Sequence, residues 1–251
     1  MFETILAINN RNGYSALRSL QKEKEINIVG ILVHPENKRL FFAEISKIAE
    51  TKGIPIISWE RKKIEDTGQR LKKINAKVLL SVNFGYLIPQ VVLDLFPYAL
   101  NLHTGFLPWN KGSHPNVWPF IDDSPAGVTL HTMTAELDAG EIIMRKKVSL
   151  SPEDNAKTLY VKLENASLEL LEKSFIPFLK GKIEPFTPEE IGSYHTHKEF
   201  IELFELKSDR SYSGKEWLGL LKALTFPPHK NAFFYENGKK YYLSIEITKE
   251  N

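Results

Sequence analysis

The chain of 251 residues has no cysteine and only three methionines. That absence excludes a disulfide framework, a thiolate nucleophile, Cys-ligated zinc and iron–sulfur clusters. An excess of one charge is also missing: 33 Lys and Arg face 31 Asp and Glu, a formal net charge of +2. A nucleic-acid-binding domain usually carries a clear basic excess, so no nucleic-acid partner is expected. No window approaches the roughly 18 consecutive apolar residues of a membrane-spanning helix. The opening Met1-Phe-Glu-Thr-Ile-Leu-Ala-Ile8 has neither a basic n-region nor a long apolar h-region, so a cytoplasmic protein without a membrane partner is expected. A hydrophobic share of 42% with 25% charged residues excludes disorder and fibres. The chemistry left to such a chain comes from His, Asp, Glu, Asn, Ser or a cofactor.

What is present reads first as alternating buried strands and helices. Apolar runs at Thr4 to Ile8, Ile26 to Val33, Gly53 to Ser58, Lys77 to Asn83 and Ala99 to His103 predict strands. Helices are predicted between them, from Ala16 to Glu25, Arg39 to Lys52, Arg61 to Ile74 and Pro89 to Phe96. The first follows a turn-rich loop, Asn9 to Ser15, with Ser15 as its cap. Buried strands separated by helices imply right-handed βαβ units and a mainly parallel, Rossmann-like α/β sheet. After Gly105 the rhythm changes to a Pro-, Asn- and Gly-rich loop over Leu107 to Pro115 and a helix over Asn116 to Ile121. Strands over Gly127 to Met133 and Glu141 to Leu150 follow, and then a long amphipathic helix from Asp154 to Lys180. Residues 1–180 read as one catalytic domain and 181–251 as a small C-terminal region. That region holds a helix at Gly214 to Leu224 and ends in a β-hairpin, Asn231 to Tyr235 and Lys240 to Thr248 around Glu236-Asn-Gly238.

Three stretches carry polar groups suited to chemistry. In a strand, Asn101 and His103 share one face while Leu100 and Leu102 share the other. The pair lies at a strand's carboxyl end, where open α/β sheets bind ligands. Such a pair equally serves to satisfy loop backbone, and alone it does not decide. The ordered loop Leu107 to Pro115 and the turn Glu136-Leu-Asp-Ala-Gly-Glu141 are likewise either structural or functional. Taken together, His103 as base, Asp138 as its orienting carboxylate and Asn101 as donor to developing negative charge form a coherent set. No Gly-x-Ser-x-Gly elbow and no cysteine occur, which favours direct acyl transfer to a bound amine over a covalent acyl-enzyme. His195-Thr-His197 comes nearest to metal-ligand spacing and reads as surface; no metal is expected.

Asn101-Leu-His103, Leu107-Pro-Trp-Asn-Lys-Gly112, Gly127-Val-Thr129 and Leu137-Asp-Ala-Gly140, in that order, resemble the 10-formyltetrahydrofolate-dependent formyltransferases. The resemblance is strong over about residues 75–145 and looser over the rest of the first 180. It implies 10-formyltetrahydrofolate as formyl donor and tetrahydrofolate as product. Asn101 would polarise the formyl carbonyl, His103 would take the proton of the attacking amine, and Asp138 would hold His103. Phe84 to Pro89 matches the family's pterin-lining loop, with Tyr86, Leu87 and Ile88 nearest the ring. Lys111, Gly112, Ser113, His114 and Pro115 would lie over folate and acceptor together.

Among the branches of this family, the methionyl-tRNA enzymes add a larger, basic C-terminal domain, whereas residues 181–251 here are short and nearly balanced in charge. The glycinamide ribonucleotide enzymes carry a Gly/Ser-rich first loop, unlike Asn9-Asn-Arg-Asn-Gly-Tyr-Ser15. Gly112-Ser-His-Pro-Asn-Val-Trp118 and Thr225-Phe-Pro-Pro-His-Lys-Asn-Ala-Phe-Phe234 are similar to the sugar N-formyltransferases. That branch implies a homodimer acting on a nucleotide-linked amino-dideoxy sugar, first a dTDP-linked 4-amino-4,6-dideoxyhexose, for a glycan such as lipopolysaccharide O-antigen or capsule. Asn10, Tyr14 and Ser15 at the first helix, and Tyr194 and Lys230 in the tail, are the candidate substrate contacts. Trp217 and Phe226 are candidates for a dimer core.

Overall fold

A computed structural model describes residues 1–207 and 209–250. Along the chain, strands and helices alternate as β1 (Phe2–Ile8), α1 (Arg11–Leu20), β2 (Ile26–Val33), α2 (Phe42–Lys52), β3 (Ile56–Ser58), α3 (Ile64–Ile74), β4 (Val78–Val82), α4 (Gln90–Leu93) and β5 (Tyr98–His103). Then come β6 (Lys111–Gly112), β7 (Gly127–Thr132), β8 (Ile142–Lys147), α5 (Ala156–Leu179), β9 (Tyr194–His195), α6 (His197–Glu202) and α7 (Gly214–Leu224). Four short strands close the chain: β10 (Thr225–Phe226), β11 (His229–Lys230), β12 (Phe233–Glu236) and β13 (Lys239–Tyr242).

Seven strands form one sheet in the order β3-β2-β1-β4-β5-β7-β8. The pairs from β3 to β5 are parallel, and β7 turns the edge antiparallel by pairing with β5. The expected Rossmann-like, mainly parallel sheet is therefore present. Strands such as Val78-Leu-Leu-Ser-Val82 are buried along their whole length, as covering both faces of a parallel sheet requires.

The chain divides into two compact units. One comprises residues 1–103, 129–145 and 167–188; the other comprises 104–128, 146–166 and 189–251. The first is built on a core of Ile5, Leu32, Trp59, Leu79, Phe84, Ile88 and Phe96. The second packs Val117, Trp118, Ala156, Phe200, Leu206, Leu220 and Leu224 together. Its β12–β13 hairpin pairs Phe233 with Tyr242 and Glu236 with Lys239. Asn237 and Gly238 take left-handed φ values of 49° and 73°, the geometry for which Asn-Gly turns are selected. The paired strands end at Tyr242, short of the expected Thr248.

Helix α1 departs from expectation. It starts at Arg11, with Asn10 rather than Ser15 as its cap; the Gly13 amide donates to Asn10 Oδ1 at 3.1 Å. Gly13 is not a turn residue. A Cβ there would lie 2.6 Å from Ile8 Cβ, so its bare Cα lets the helix press on β1. Ser15 thus stands inside the helix. Two further differences concern short elements. Residues 116–121 supply only a 3₁₀ turn, Trp118–Phe120. Helix α6 was not expected; a reciprocal capping box between Thr196 and Glu199 starts it.

Candidate active site

The first unit brings Asn101, His103 and Asp138 together. Asn101 and His103 alternate along β5, and the register with β7 sets Asn101 opposite His131. Asp138 is carried by the turn after β7, where its own φ is +52°. The turn is closed at its base: Thr132 N–H donates to the Glu141 carbonyl, and Glu141 N–H donates to Thr132 Oγ1, both at 2.9 Å. His103 Nδ1 lies 3.7 Å from Asp138 Oδ2, with both side chains nearly buried. Asn101 Nδ2 lies 3.5 Å from Asp138 Oδ1. The spacing lets an imidazolium at 103 be stabilised by a carboxylate while Asn101 presents an N–H.

A fourth group, not identified in the sequence reading, completes the cluster. His131 is 2% exposed, its Nε2 is 3.2 Å from Asn101 Nδ2 and 3.6 Å from Asp138 Oδ1, and its Nδ1 is 2.8 Å from the Thr132 carbonyl. Burial pushes its pKa down to about 4, against the opposing pull of Asp138.

Tyr86, Leu87 and Ile88 occupy the connection after β4, where Asn83 and Gly85 take φ values of 49° and 71°. Ile88 is fully buried in the core, whereas Leu87 is exposed and Tyr86 half-buried. His34, also missed, donates from Nε2 to the Phe84 carbonyl and packs edge-on against Phe84 and Tyr86, at 5.1 and 4.6 Å between centroids. Burial lowers its pKa. Of the candidate substrate residues at α1, Asn10 is engaged as the cap and Tyr14 stacks on Phe41 at 6.1 Å. Asn9 ties down the loop after β2, donating to the Lys38 carbonyl and accepting from Leu40 N–H.

In the second unit, Lys111 and Gly112 pair in parallel with Tyr194 and His195. A Cβ at Gly112 would lie 2.3 Å from the His195 carbonyl oxygen, so glycine is needed there, at φ +88°. Asn110 anchors the loop: its N–H donates to Ser193 Oγ at 2.9 Å and its Nδ2 to the Pro125 carbonyl at 3.2 Å. Trp118 Nε1 donates to the Ser113 carbonyl, and the indole stacks on His195 at 3.9 Å, the two rings nearly parallel. His195 is therefore packed, not plain surface. His114 stacks on Phe200 at 3.8 Å, and its Nε2 is 2.9 Å from His197 Nδ1. Lys111 to Pro115 and Tyr194 thus form one group. Lys230 stands on β11, its Nζ over the Tyr242 ring. Trp217 packs on Tyr212, and Phe226 on Tyr160. Among the described residues, no cluster of three or more His, Cys, Asp or Glu could hold a metal, and no helix is long and apolar enough to cross a membrane.

Burial drives the His114 pKa down to about 4, with His197 adding to the effect. Both His114 and His131 fold neutral with a pKa below their unfolded value, so the unfolded chain binds more protons between about pH 6.5 and about pH 4. Stability is fully present above that window and is lost as the pH falls through it. Urea midpoints measured across the window should decline on acidification, and His114→Phe should flatten the slope. An unchanged slope in that variant would refute the contribution of His114.

Residues 6–174 match the formyl transferase family, and residues 199–249 match the N-formyltransferase dimerization C-terminal domain. A methionyl-tRNA formyltransferase of Streptococcus pneumoniae is 26% identical over 239 residues, covering 93% of this chain and 76% of that protein. The crystal structure of a 4-N formyltransferase from Francisella tularensis superimposes with a TM-score of 0.86 at 24% identity, covering 99% of both chains. A formyltransferase from Anoxybacillus kamchatkensis, solved with UDP-4,6-dideoxy-4-formamido-L-AltNAc and tetrahydrofolate, gives 0.54 at 28% identity, over 77% of this chain and 98% of that one.

Proposed function

The chain belongs to the formyl transferase family, and from that premise we propose that it moves a formyl group from 10-formyltetrahydrofolate to the amine of a nucleotide-linked 4-amino-4,6-dideoxy sugar. The observation that carries the chemistry is the buried approach of His103 to Asp138 beside Asn101 at the end of β5. The folate co-substrate supplies an activated formyl carbon. Leu87 and Val91, exposed apolar side chains beside a buried core, suit the flat face of its ring. Nδ1 of His103 faces the carboxylate, so Nε2 receives the proton as the sugar amine bonds to the formyl carbon. Asn101 donates to the formyl oxygen as charge builds there. The bond to the folate nitrogen then breaks, that nitrogen is protonated, and a formamide and tetrahydrofolate leave.

The acceptor class is supported by two relatives, one described as a 4-N formyltransferase and the other solved with a UDP-linked 4-formamido sugar. The α1 N-terminus, the positive end of that helix's dipole, suits a sugar diphosphate. In this reading residues 1–180 hold the transfer chemistry, and 181–251 pair two copies of the chain. The matched dimerization region and the exposed Tyr235, Tyr241 and Tyr242 on the terminal hairpin support the pairing. A panel of dTDP-, UDP- and GDP-linked 4-amino-4,6-dideoxy sugars with 10-formyltetrahydrofolate tests the proposal, and the dTDP sugar is expected to be formylated. Turnover with the UDP or GDP sugar alone would revise the nucleotide. Failure with every sugar, together with steeply salt-dependent formylation of methionyl-tRNA, would replace the reading with the one the Streptococcus relative favours.

A further inference from the structure

His131 makes no contact that the transfer chemistry needs directly, yet it is among the most buried polar groups of the first unit. For a neutral ring its hydrogen-bonding pattern has one consistent solution. Nδ1 lies 2.8 Å from the Thr132 carbonyl oxygen, which can only accept, so Nδ1 carries the hydrogen. A neutral ring with that hydrogen has a bare lone pair on Nε2. Asn101 is the partner of that lone pair at 3.2 Å, and a carbonyl oxygen placed there would oppose one lone pair to another. The Asn101 carboxamide is thereby held with its NH₂ toward His131. One N–H is committed to Nε2. The other is directed at Asp138 Oδ1, with Nδ2 3.5 Å away at the limit of a hydrogen bond, a weak hold that a developing oxyanion can replace.

The same tautomer matters for Asp138. The carboxylate is shared between two rings, Oδ1 toward His131 at 3.6 Å and Oδ2 toward His103 at 3.7 Å. A charged His131 would claim the carboxylate with an Nε2–H and would also expel the Asn101 NH₂. A neutral one leaves the negative charge to His103. We propose that His131, as the neutral Nδ1–H tautomer, is a positioning residue that orients the Asn101 carboxamide and reserves the Asp138 charge for His103. The proposal rests on the reading of Asn101 and His103 given above.

Two measurements test it. In the full chain labelled with ¹⁵N-histidine, the ring-nitrogen shifts of His131 should report the neutral Nδ1–H form from about pH 5.5 to about pH 8. An Nε2–H tautomer, or a cation at neutral pH, would overturn the proposal. This readout needs no acceptor, so failure of the sugar panel would strike the functional reading and leave the tautomer standing. The second measurement compares H131N with H131Q. Asparagine reproduces the Nδ1 donor but loses the acceptor facing Asn101, while glutamine places an acceptor near the Nε2 position. H131N should lower kcat by about 10- to 100-fold, with KM for folate and sugar within about 3-fold, and H131Q should recover most of it. Equal activity in the two variants, at either level, would mark His131 as a packing residue only.

Discussion

Replacing His103 with asparagine is expected to lower kcat by about 10²- to 10⁴-fold, the range for a positioned general base. Nδ1 faces Asp138, so the amine's proton falls to Nε2, and asparagine has no titratable group to take it. The residue is 8% exposed and ends a strand whose neighbours are buried, so a polar replacement of smaller size leaves the sheet in place. Single-turnover formyl transfer, read beside an unchanged thermal melt, checks the claim. Wild-type-like turnover in H103N would remove His103 from the mechanism.

Gly140→Ala should be the most damaging single-methyl change in the first unit. An added Cβ would sit 1.7 Å from the Thr132 carbonyl oxygen and 2.7 Å from Thr132 Oγ1. The carbonyl is backbone at the end of β7 and has no rotamer to escape into. The chain must separate where the two hydrogen bonds between Thr132 and Glu141 close the turn. A loss of about 3 kcal/mol is expected, together with a Tm lower by about 10 °C. Because Asp138 stands two residues earlier, activity should fall further, since a displacement of about 1 Å at a site costs up to about 10²-fold. Gly68→Ala is the control. It lies inside α3 with nothing within 4 Å of its Cβ, so alanine there should stabilise by up to about 1 kcal/mol. Equal melts for the two variants would contradict the steric account.

The parallel strands were legible because fully apolar runs between helical patterns have few other readings. Asn101 and His103 were legible for a related reason: alternation within one strand puts both on one face. The start of α1 was misread because Gly13 looks like a turn signal, and only the approach of Ile8 reveals it as a packing glycine. His131 carries no such signal, although Gly127-Val-Thr-Leu-His131 reads as a strand. Its role depends on the β5–β7 register, which pairs residues 30 positions apart. The β6–β9 pairing is harder still, joining two-residue strands some 80 positions apart with no periodicity to announce them. Contacts fixed by local pattern were readable, and those fixed by long-range register were not.

The interleaving of the two compact units limits how this protein can be dissected. Each unit is assembled from three separate stretches, so the chain passes from one to the other repeatedly. A fragment cut after residue 180 would retain Asn101, His103, His131 and Asp138. It would also strip Phe200, Leu206, Leu220 and Leu224 from Val117, Trp118 and Ala156, leaving those side chains without their core. No single cleavage yields two intact halves, and grafting the tail of a relative means rebuilding a shared hydrophobic interior, not exchanging a module.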